Sequence, residues 1–182
     1  PINSMSTGYG VYKADLLSIL DPAFNGSTKW SYFIKDLWPS SIEGFNYVGL
    51  GIILLYFFST LVFFKKFQKK KIKKNFKDNY NYIFLIIFFS LWAITTNFTV
   101  AGIEIFNISL NKYFYGLLSI FAATGRFFWP VIYLVTIFSI LLVFKYFKNN
   151  KKYYLIIFLI CVQMIDIYPK IKLNLTEKNS TN

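Results

Sequence analysis

Four runs of apolar and aromatic residues, almost free of charge, alternate with polar and lysine-rich stretches along the 182-residue chain. The runs lie at residues 47–64, 82–96, 127–144 and 153–167. A charged side chain costs about 2.5–3.5 kcal/mol at the centre of a membrane helix, so runs of this kind favour membrane-spanning helices. The pattern predicts an all-α protein of polytopic transmembrane helices with four spans. The fourth span is short, at about 22 Å.

Lysines are concentrated in two loops between these runs. Residues 65–78 hold eight lysines and one aspartate, and residues 145–152 hold four lysines and no acid, which together give +11 of the net charge of +12. Short lysine-rich loops stay in the cytoplasm, so we expect both loops inside and both chain ends outside. The same rule accounts for nearly all of the basic surplus, which argues against a nucleic-acid partner and leaves membrane lipids as the expected one.

The spans divide the chain into three parts. Residues 1–46 form an outer (periplasmic) segment, residues 47–168 a four-span membrane domain with an outer connection at 97–126, and residues 169–182 an outer tail. Residues 113–123 are uncharged but too short to cross, which predicts a helix lying at the interface or dipping partly into the membrane. The outer segment is rich in aromatic residues, which would be exposed to water if the segment did not contact the rest of the protein. We therefore expect it to pack on the membrane domain.

Two local features of the outer parts complete this picture. Residues 14–20 fit either a short helix or an extended strand. The chain begins with proline, and residues 1–46 contain no basic stretch followed by an apolar one, so no signal peptide is visible. A translocated segment of this length favours a piece of a larger protein, and the polar tail also looks cut short.

Candidate chemistry falls on the outer side. The chain has no histidine, which excludes Ser-His-Asp catalysis and histidine-ligated metals within these residues, and we expect no cofactor or metal. Glu43 and Asn46, just before the first span, could bind a cation or a hydroxylated group, or could cap the helix.

The other candidates lie at the outer ends of the third and fourth spans. Arg126 is the sole arginine, and it is expected at the depth where lipid phosphates lie. Its planar guanidinium matches the geometry of a phosphate, so it could bind one. The alternative is that it only anchors the helix end at the lipid headgroups. Trp129 beside it favours the interface. Gln163 and Asp166 lie near the outer end of the fourth span, where Asp166 is either paired, most obviously with Arg126, or solvated at a helix end.

These residues also carry a resemblance. The run from Glu43 to Gly51, the block Gly125-Arg126-Phe127-Phe128-Trp129-Pro130 and the run from Gln163 to Asp166 occur in this order and setting in one bacterial group. The chain resembles this family of uncharacterised polytopic inner-membrane proteins, which is related to the GT-C glycosyltransferases. The resemblance covers nearly the whole chain, which looks like a middle-to-late part of a longer protein.

The resemblance implies a location in the bacterial inner membrane and a role with lipid-linked sugars. GT-C enzymes pass a sugar from a polyprenyl-phosphate donor to an acceptor outside, and their catalytic carboxylate usually lies in the first outer loop, here expected upstream of residue 1. This piece would then contribute lipid or acceptor contacts, with Arg126 on the lipid phosphate. Ala122 stands where the family tends to have a further arginine. Whether the parent is an enzyme stays open, and the alternatives are a transporter subunit or a non-catalytic structural membrane protein.

Overall fold

The computed structural model describes residues 13–23, 30–38, 44–67, 80–121, 123–147 and 150–180. These residues are mostly helical. The elements in chain order are α1 (Leu50–Phe67), α2 (Tyr80–Ile94), β1 (Asn97–Val100), β2 (Ile103–Asn107), α3 (Lys112–Leu118), a single 3₁₀ turn (Thr124–Phe127), α4 (Phe128–Tyr146) and α5 (Lys151–Ser180).

Each of the four apolar runs forms a helix, and two of these are long and apolar enough to cross a membrane. The two stretches are Thr124–Tyr146 and Lys151–Thr176. Only 28% and 11% of their most apolar windows are buried by the described residues, so much of their apolar surface is left uncovered. The apolar stretches Leu50–Lys65 and Tyr80–Ile94 are shorter. The prediction of a mostly helical chain is thereby confirmed, and two of the four predicted spans have the length and composition that a membrane helix needs.

The helix of the fourth apolar run extends beyond the predicted end of the span. Helix α5 does not stop near residue 167 but continues to Ser180 through Pro169, over 30 residues or about 45 Å. Residues 169–180 are therefore part of this helix, although the sequence predicts a separate tail from residue 169. The residues that follow Pro169 include lysine, leucine and glutamate, which are good helix formers, so the lost backbone hydrogen bond of the proline does not end the helix.

A β-hairpin in the connection between α2 and α4 corrects the all-α prediction. Strands β1 and β2 pair antiparallel, with a bulge between Phe98 and Thr99. Ala101 and Gly102 both have positive φ, at 53° and 75°, which is the geometry of a tight turn between strands. The strands are rich in β-branched residues, and this signal favours pairing over helix. A short helix is predicted at residues 113–123, and helix α3 confirms one there, at Lys112–Leu118.

Helices α1, α4 and α5 pack around one apolar cluster, whose buried members are Leu55, Val143 and Leu159. Polar pairs fix the register of α1 on α4. The hydroxyls of Tyr56 and Thr136 share a hydrogen bond of 2.7 Å, and Ser59 Oγ donates to Ser139 Oγ over 3.1 Å. Both pairs are 80 residues apart, so α1 and α4 run parallel.

The described parts of the N-terminal segment (residues 1–46) dock on the helices, as expected. Ala14 is buried in a second apolar cluster with Ala93, Phe128 and Val131, and its N–H donates to the carbonyl of Ala93 over 3.0 Å. Phe33 and Leu37 of the same segment stay exposed. Residues 16–20 form successive turns, so both expectations for residues 14–20, a helix and a strand, are wrong.

The carboxylate of Asp15 ties this segment to the hairpin. Its Oδ1 accepts from the N–H of Ala101 over 3.0 Å and its Oδ2 from the N–H of Gly102 over 2.9 Å. A further bond from the N–H of Leu17 to Oδ1 shapes the chain around the aspartate. The left-handed turn is thus held by a side chain that lies 86 residues earlier in the sequence.

Candidate functional site

Asp166 of α5 is fully buried and binds the start of α1. Its carboxylate accepts hydrogen bonds from Ser31 Oγ, from Tyr47 Oη over 2.5 Å and from the N–H of Leu50 over 2.9 Å. Leu50 is the first residue of α1, and the first N–H groups of a helix have no acceptor within it. The first turn of α1 carries no acid, so Asp166 supplies the negative charge that a helix N-terminus favours.

Gln163 completes this cap from the same face of α5, one turn earlier. Its Oε1 accepts from the N–H groups of Gly51 and Ile52 over 2.9 and 3.3 Å, and its Nε2 donates to the carbonyl of Val48 over 3.1 Å. Two side chains of α5 therefore bind three N–H groups at the start of α1. We call this arrangement, Gln163 and Asp166 on residues 48–52, the helix junction.

Two glycines let the helices approach closely enough for these bonds. Gly49 has φ of +87°, and a Cβ there would lie 1.9 Å from Nε2 of Gln163. A Cβ on Gly51 would lie 2.4 Å from the backbone oxygen of Leu159. The left-handed residue also explains why α1 begins at Leu50 and not at Tyr47, where the first span is predicted to start.

Tyr47 and Ser31 close the junction on the side of the N-terminal segment. Burial raises the pKa of Tyr47, and its hydrogen bond to Asp166 raises it further, so the phenol stays protonated and donates. Ser31 Oγ donates to Asp166 and accepts from the N–H groups of Phe33 and Ile34. Tyr47 lies within a motif that the sequence singles out, whereas nothing in the sequence around Ser31 marks it as a partner of a residue 135 positions later.

Among the described residues, Asp166 is not paired with Arg126 as the sequence predicts. The hydrogen bonds to this carboxylate come from two hydroxyls and a helix N-terminus, and Arg126 is not among the donors. The alternative of a solvated helix end is wrong, because Asp166 has no exposed surface. Sequence reasoning sought a cation, whereas the compensating positive charge is the dipole of a neighbouring helix.

Asn46 and Glu43 have separate outcomes. Asn46 is buried beside Tyr47, and its Nδ2 donates to the carbonyl of Gly44 over 3.0 Å and to Ser18 Oγ over 3.4 Å. It therefore holds the N-terminal segment and does not cap α1 directly. Glu43 lies outside the described residues.

Arg126 lies on the exposed side of the 3₁₀ turn that leads into α4. It lines an open groove with a volume of about 320 Å³, together with Phe121, Ala123, Phe127 and Pro130. We call this the arginine groove. Trp129, three residues further on, is 49% exposed at the start of α4.

An aromatic wall borders the arginine groove. The rings of Trp92, Phe121 and Phe127 contact one another edge to face, with centroid distances of 5.6, 5.7 and 6.1 Å. Trp92 also lines a second groove of about 300 Å³. The other lining residues are Phe88, Leu91, Thr95, Thr96, Ile108, Leu110 and Leu118. The sequence places Phe127 next to Arg126, but it does not mark Phe121 as a lining residue of the groove. Nor does it mark Trp92, whose ring packs against both phenylalanines only in the tertiary fold.

The described residues hold no group of three or more histidine, cysteine, aspartate or glutamate side chains that could bind a metal ion. What the arrangement offers chemically is therefore a guanidinium at the edge of an apolar, aromatic groove, and a buried carboxylate whose bonds are made to the protein itself.

Fold and site together define a mostly helical protein with two helices suited to a membrane and an arginine-lined groove at one end of the bundle. Residues 2–168 match the family model DUF6311, a domain of unknown function, and the chain belongs to this family. Comparisons with curated proteins and with solved structures gave no match.

Proposed function

We propose that this protein is a GT-C-like membrane component that binds a polyprenyl-phosphate-linked sugar, with Arg126 on the lipid phosphate. The observation that carries the proposal is the placement of the chain's sole arginine, exposed, at the edge of an open groove whose other walls are apolar. A guanidinium presents a rigid fork of N–H donors that fits two phosphate oxygens at once.

The walls of the groove suit the rest of such a lipid. Phe121, Phe127 and Pro130 offer flat apolar surface within reach of the guanidinium, and Trp129 stands half-exposed beside them. An isoprenoid chain is branched and apolar, and it would gain about 25 cal/mol for each Å² of apolar surface that it covers here. Trp at a helix end is also typical of the membrane–water interface, where phosphates lie.

The proposed topology has four spans in a bacterial inner membrane, with both chain ends outside and both lysine loops in the cytoplasm. The lysine distribution and the apolar lengths of α1 and α2, about 27 and 22 Å, support it. Reporter fusions after Lys74 and Lys151 should then read cytoplasmic and a fusion after Lys35 should read outside. An outside signal at Lys74 would reject this topology.

Asp166 does not serve as the catalytic base in this proposal. All of its bonds among the described residues hold α1, Tyr47 and Ser31, and it is fully buried. A transferase reaction would need a carboxylate from elsewhere in the protein, which agrees with the expectation that this part supplies lipid or acceptor contacts.

The direct test measures binding of polyprenyl monophosphate to the purified protein in detergent or nanodiscs. Arg126→Lys keeps the charge but loses the fork, so we expect at least about tenfold weaker binding, the value of one charge-assisted hydrogen bond. Lys172→Gln is the matched control, since it removes an exposed charge from the end of α5 and should leave binding unchanged.

The anchoring alternative gives a different result. If Arg126 only holds the helix end at the headgroups, Arg126→Lys will bind the lipid phosphate like the parent protein, and Arg126→Gln will lower only the amount of protein in the membrane. That pattern would contradict the proposal.

A second candidate, a non-catalytic structural membrane protein, is favoured by the helix junction. Two of the three motifs that carry the family resemblance contribute their side chains and glycines to holding α1 on α5. Under this candidate no lipid phosphate binds specifically, and polyprenyl and dialkyl phosphates should bind equally weakly to parent and Arg126 variants.

A further inference from the structure

Three helices bring their lysines to the same end of the bundle. The pairs Tyr56–Thr136 and Ser59–Ser139 set an offset of 80 residues between α1 and α4. The same offset places Lys65 of α1 level with Lys145 of α4, each six residues or about 9 Å beyond the last pair. The two parallel helices therefore end in lysine at the same height.

Helix α5 runs the opposite way and begins with lysine at that height. Leu159 packs with Leu55 and Val143 in one cluster. From Leu159 back to Lys151 is eight residues, or about 12 Å, and from Leu55 on to Lys65 is ten residues, or about 15 Å. Lys151 and Lys152 thus join the ends of α1 and α4. We call Lys65, Lys145, Lys151 and Lys152 the lysine end.

No described acid offsets this charge. Helices α1 and α4 contain no aspartate or glutamate, and the first acid of α5 is Asp166 at its far part. Lys65, Lys145 and Lys151 are exposed. Helix stability does not explain Lys151 and Lys152, because positive charge in the first turn of a helix opposes its dipole.

Aromatic rings hold one of these cations in place. Lys152 Nζ lies 5.5 Å from the centroid of the Phe144 ring and 5.2 Å from that of Tyr153, and the two rings contact edge to face at 5.8 Å. Lys145 Nζ lies 5.6 Å from the ring of Tyr146. A cation held over ring faces has already lost much of its side-chain freedom, so an anion binds it at a smaller entropic cost.

We propose that the lysine end is a binding site for the phosphate groups of anionic phospholipids, with the Phe144 and Tyr153 rings against the glycerol and upper acyl region. Juxtamembrane lysines attract anionic headgroups, and interfacial aromatics suit the boundary between headgroup and chain. This site lies at the opposite end of α4 from Arg126, so it is independent of the function proposed above.

The test measures thermal stability and lipid binding of the purified full chain in a zwitterionic detergent, titrated with phosphatidylglycerol. Phosphatidylcholine and inorganic phosphate are the comparison ligands, and every titration is repeated with Arg126→Gln so that the arginine groove does not contribute. Phosphatidylglycerol should raise the melting temperature, and neither comparison ligand should do so at the same concentration.

Variants assign the effect to the lysines. Each lysine near the surface is worth roughly a factor of five, so Lys145→Gln with Lys152→Gln should weaken phosphatidylglycerol binding about 25-fold. The double change Lys145→Arg with Lys152→Arg keeps the charge and should retain binding within about threefold, since the attraction is to charge near the surface. Lys172→Gln with Lys178→Gln removes two charges from the other end of α5 and should change nothing.

Four results would overturn the proposal. One is equal stabilisation by phosphatidylcholine, and another is equal stabilisation by inorganic phosphate alone, which would make this a free-anion site. The third is unchanged phosphatidylglycerol binding by the Lys145→Gln, Lys152→Gln variant. The fourth is displacement of bound phosphatidylglycerol by an acidic peptide at a lower concentration than added phosphatidylglycerol requires. That result would assign the surface to a protein partner.

Discussion

The helix junction and the arginine groove lie near the start of α1 and the start of α4, yet their charged groups have opposite surroundings. Asp166 has no exposed surface and takes three hydrogen bonds from the chain itself, whereas Arg126 is exposed along an apolar groove. A charge that is buried must have its partners inside the protein, and those partners then define its role. The difference shows that the carboxylate of the junction is committed to holding the helices together, whereas the guanidinium borders open space, which is why the proposed ligand is placed there.

Removal of the Asp166 carboxylate should have the largest effect on stability. Asp166→Ala leaves the N–H of Leu50 and the hydroxyls of Ser31 and Tyr47 without their acceptor in a buried place. At about 1–3 kcal/mol for each unsatisfied group, partly relieved by rearrangement, we expect a loss of about 4 kcal/mol in the free energy of unfolding. Thermal or denaturant unfolding in detergent measures this.

The control for that change is Met164→Ala, two residues away on the exposed side of α5. It should cost well under about 1 kcal/mol, as is usual for surface positions. Equal losses for both variants would show that the junction is not what joins α5 to α1.

Gly51→Ala should have the next largest effect. The added methyl group would meet the backbone oxygen of Leu159 at 2.4 Å, and backbone cannot move aside as a flexible side chain can. Overpacking of this kind costs typically about 1–3 kcal/mol, so we expect about 2 kcal/mol, measured by the same unfolding experiment. Thr60→Ala, on the exposed face of the same helix, is the matched control. A stabilising effect of Gly51→Ala would contradict the close approach of α1 and α5.

The helices of this fold follow directly from the hydrophobic pattern, but their ends do not. Apolar runs of 15 residues or more with at most one charge leave little choice other than a helix, and each of the four runs forms one. The start of α1 depends on Gly49 being left-handed beneath Gln163, and the length of α5 on a helix that passes through Pro169. The start of α1 is thus decided by a residue far away in the sequence. The end of α5 is decided by a helix that tolerates the proline, which would ordinarily predict a helix end.

The β-hairpin is a second feature that the local sequence does not predict. Its strands are only four and five residues long, so their β-branched residues compete with the helical pattern on either side. The turn at Ala101 and Gly102 is held by Asp15, and no local pattern connects that aspartate to residues 86 positions away. A prediction of secondary structure from composition therefore assigns this region to an irregular connection.

The sequence predicts which residues form the candidate site but not which groups they bind. Gln163, Asp166 and Arg126 stand out because polar groups at the ends of apolar runs need partners. The expected partner for Asp166 was the only arginine, since a backbone dipole leaves no mark in the sequence. Ser31, which lies 135 residues from Asp166, becomes a partner only when the N-terminal segment folds back on α5.

The most direct measurement compares Arg126→Lys with Asp166→Asn for both polyprenyl-phosphate binding and thermal stability, at a temperature where each variant is folded. The account predicts a crossed result. Arg126→Lys should keep the melting temperature of the parent protein and lose at least about tenfold in binding, while Asp166→Asn should melt earlier and bind as before. The contradicting result is Asp166→Asn that loses binding with an unchanged melting temperature, because the buried carboxylate would then serve the ligand and not the helix junction.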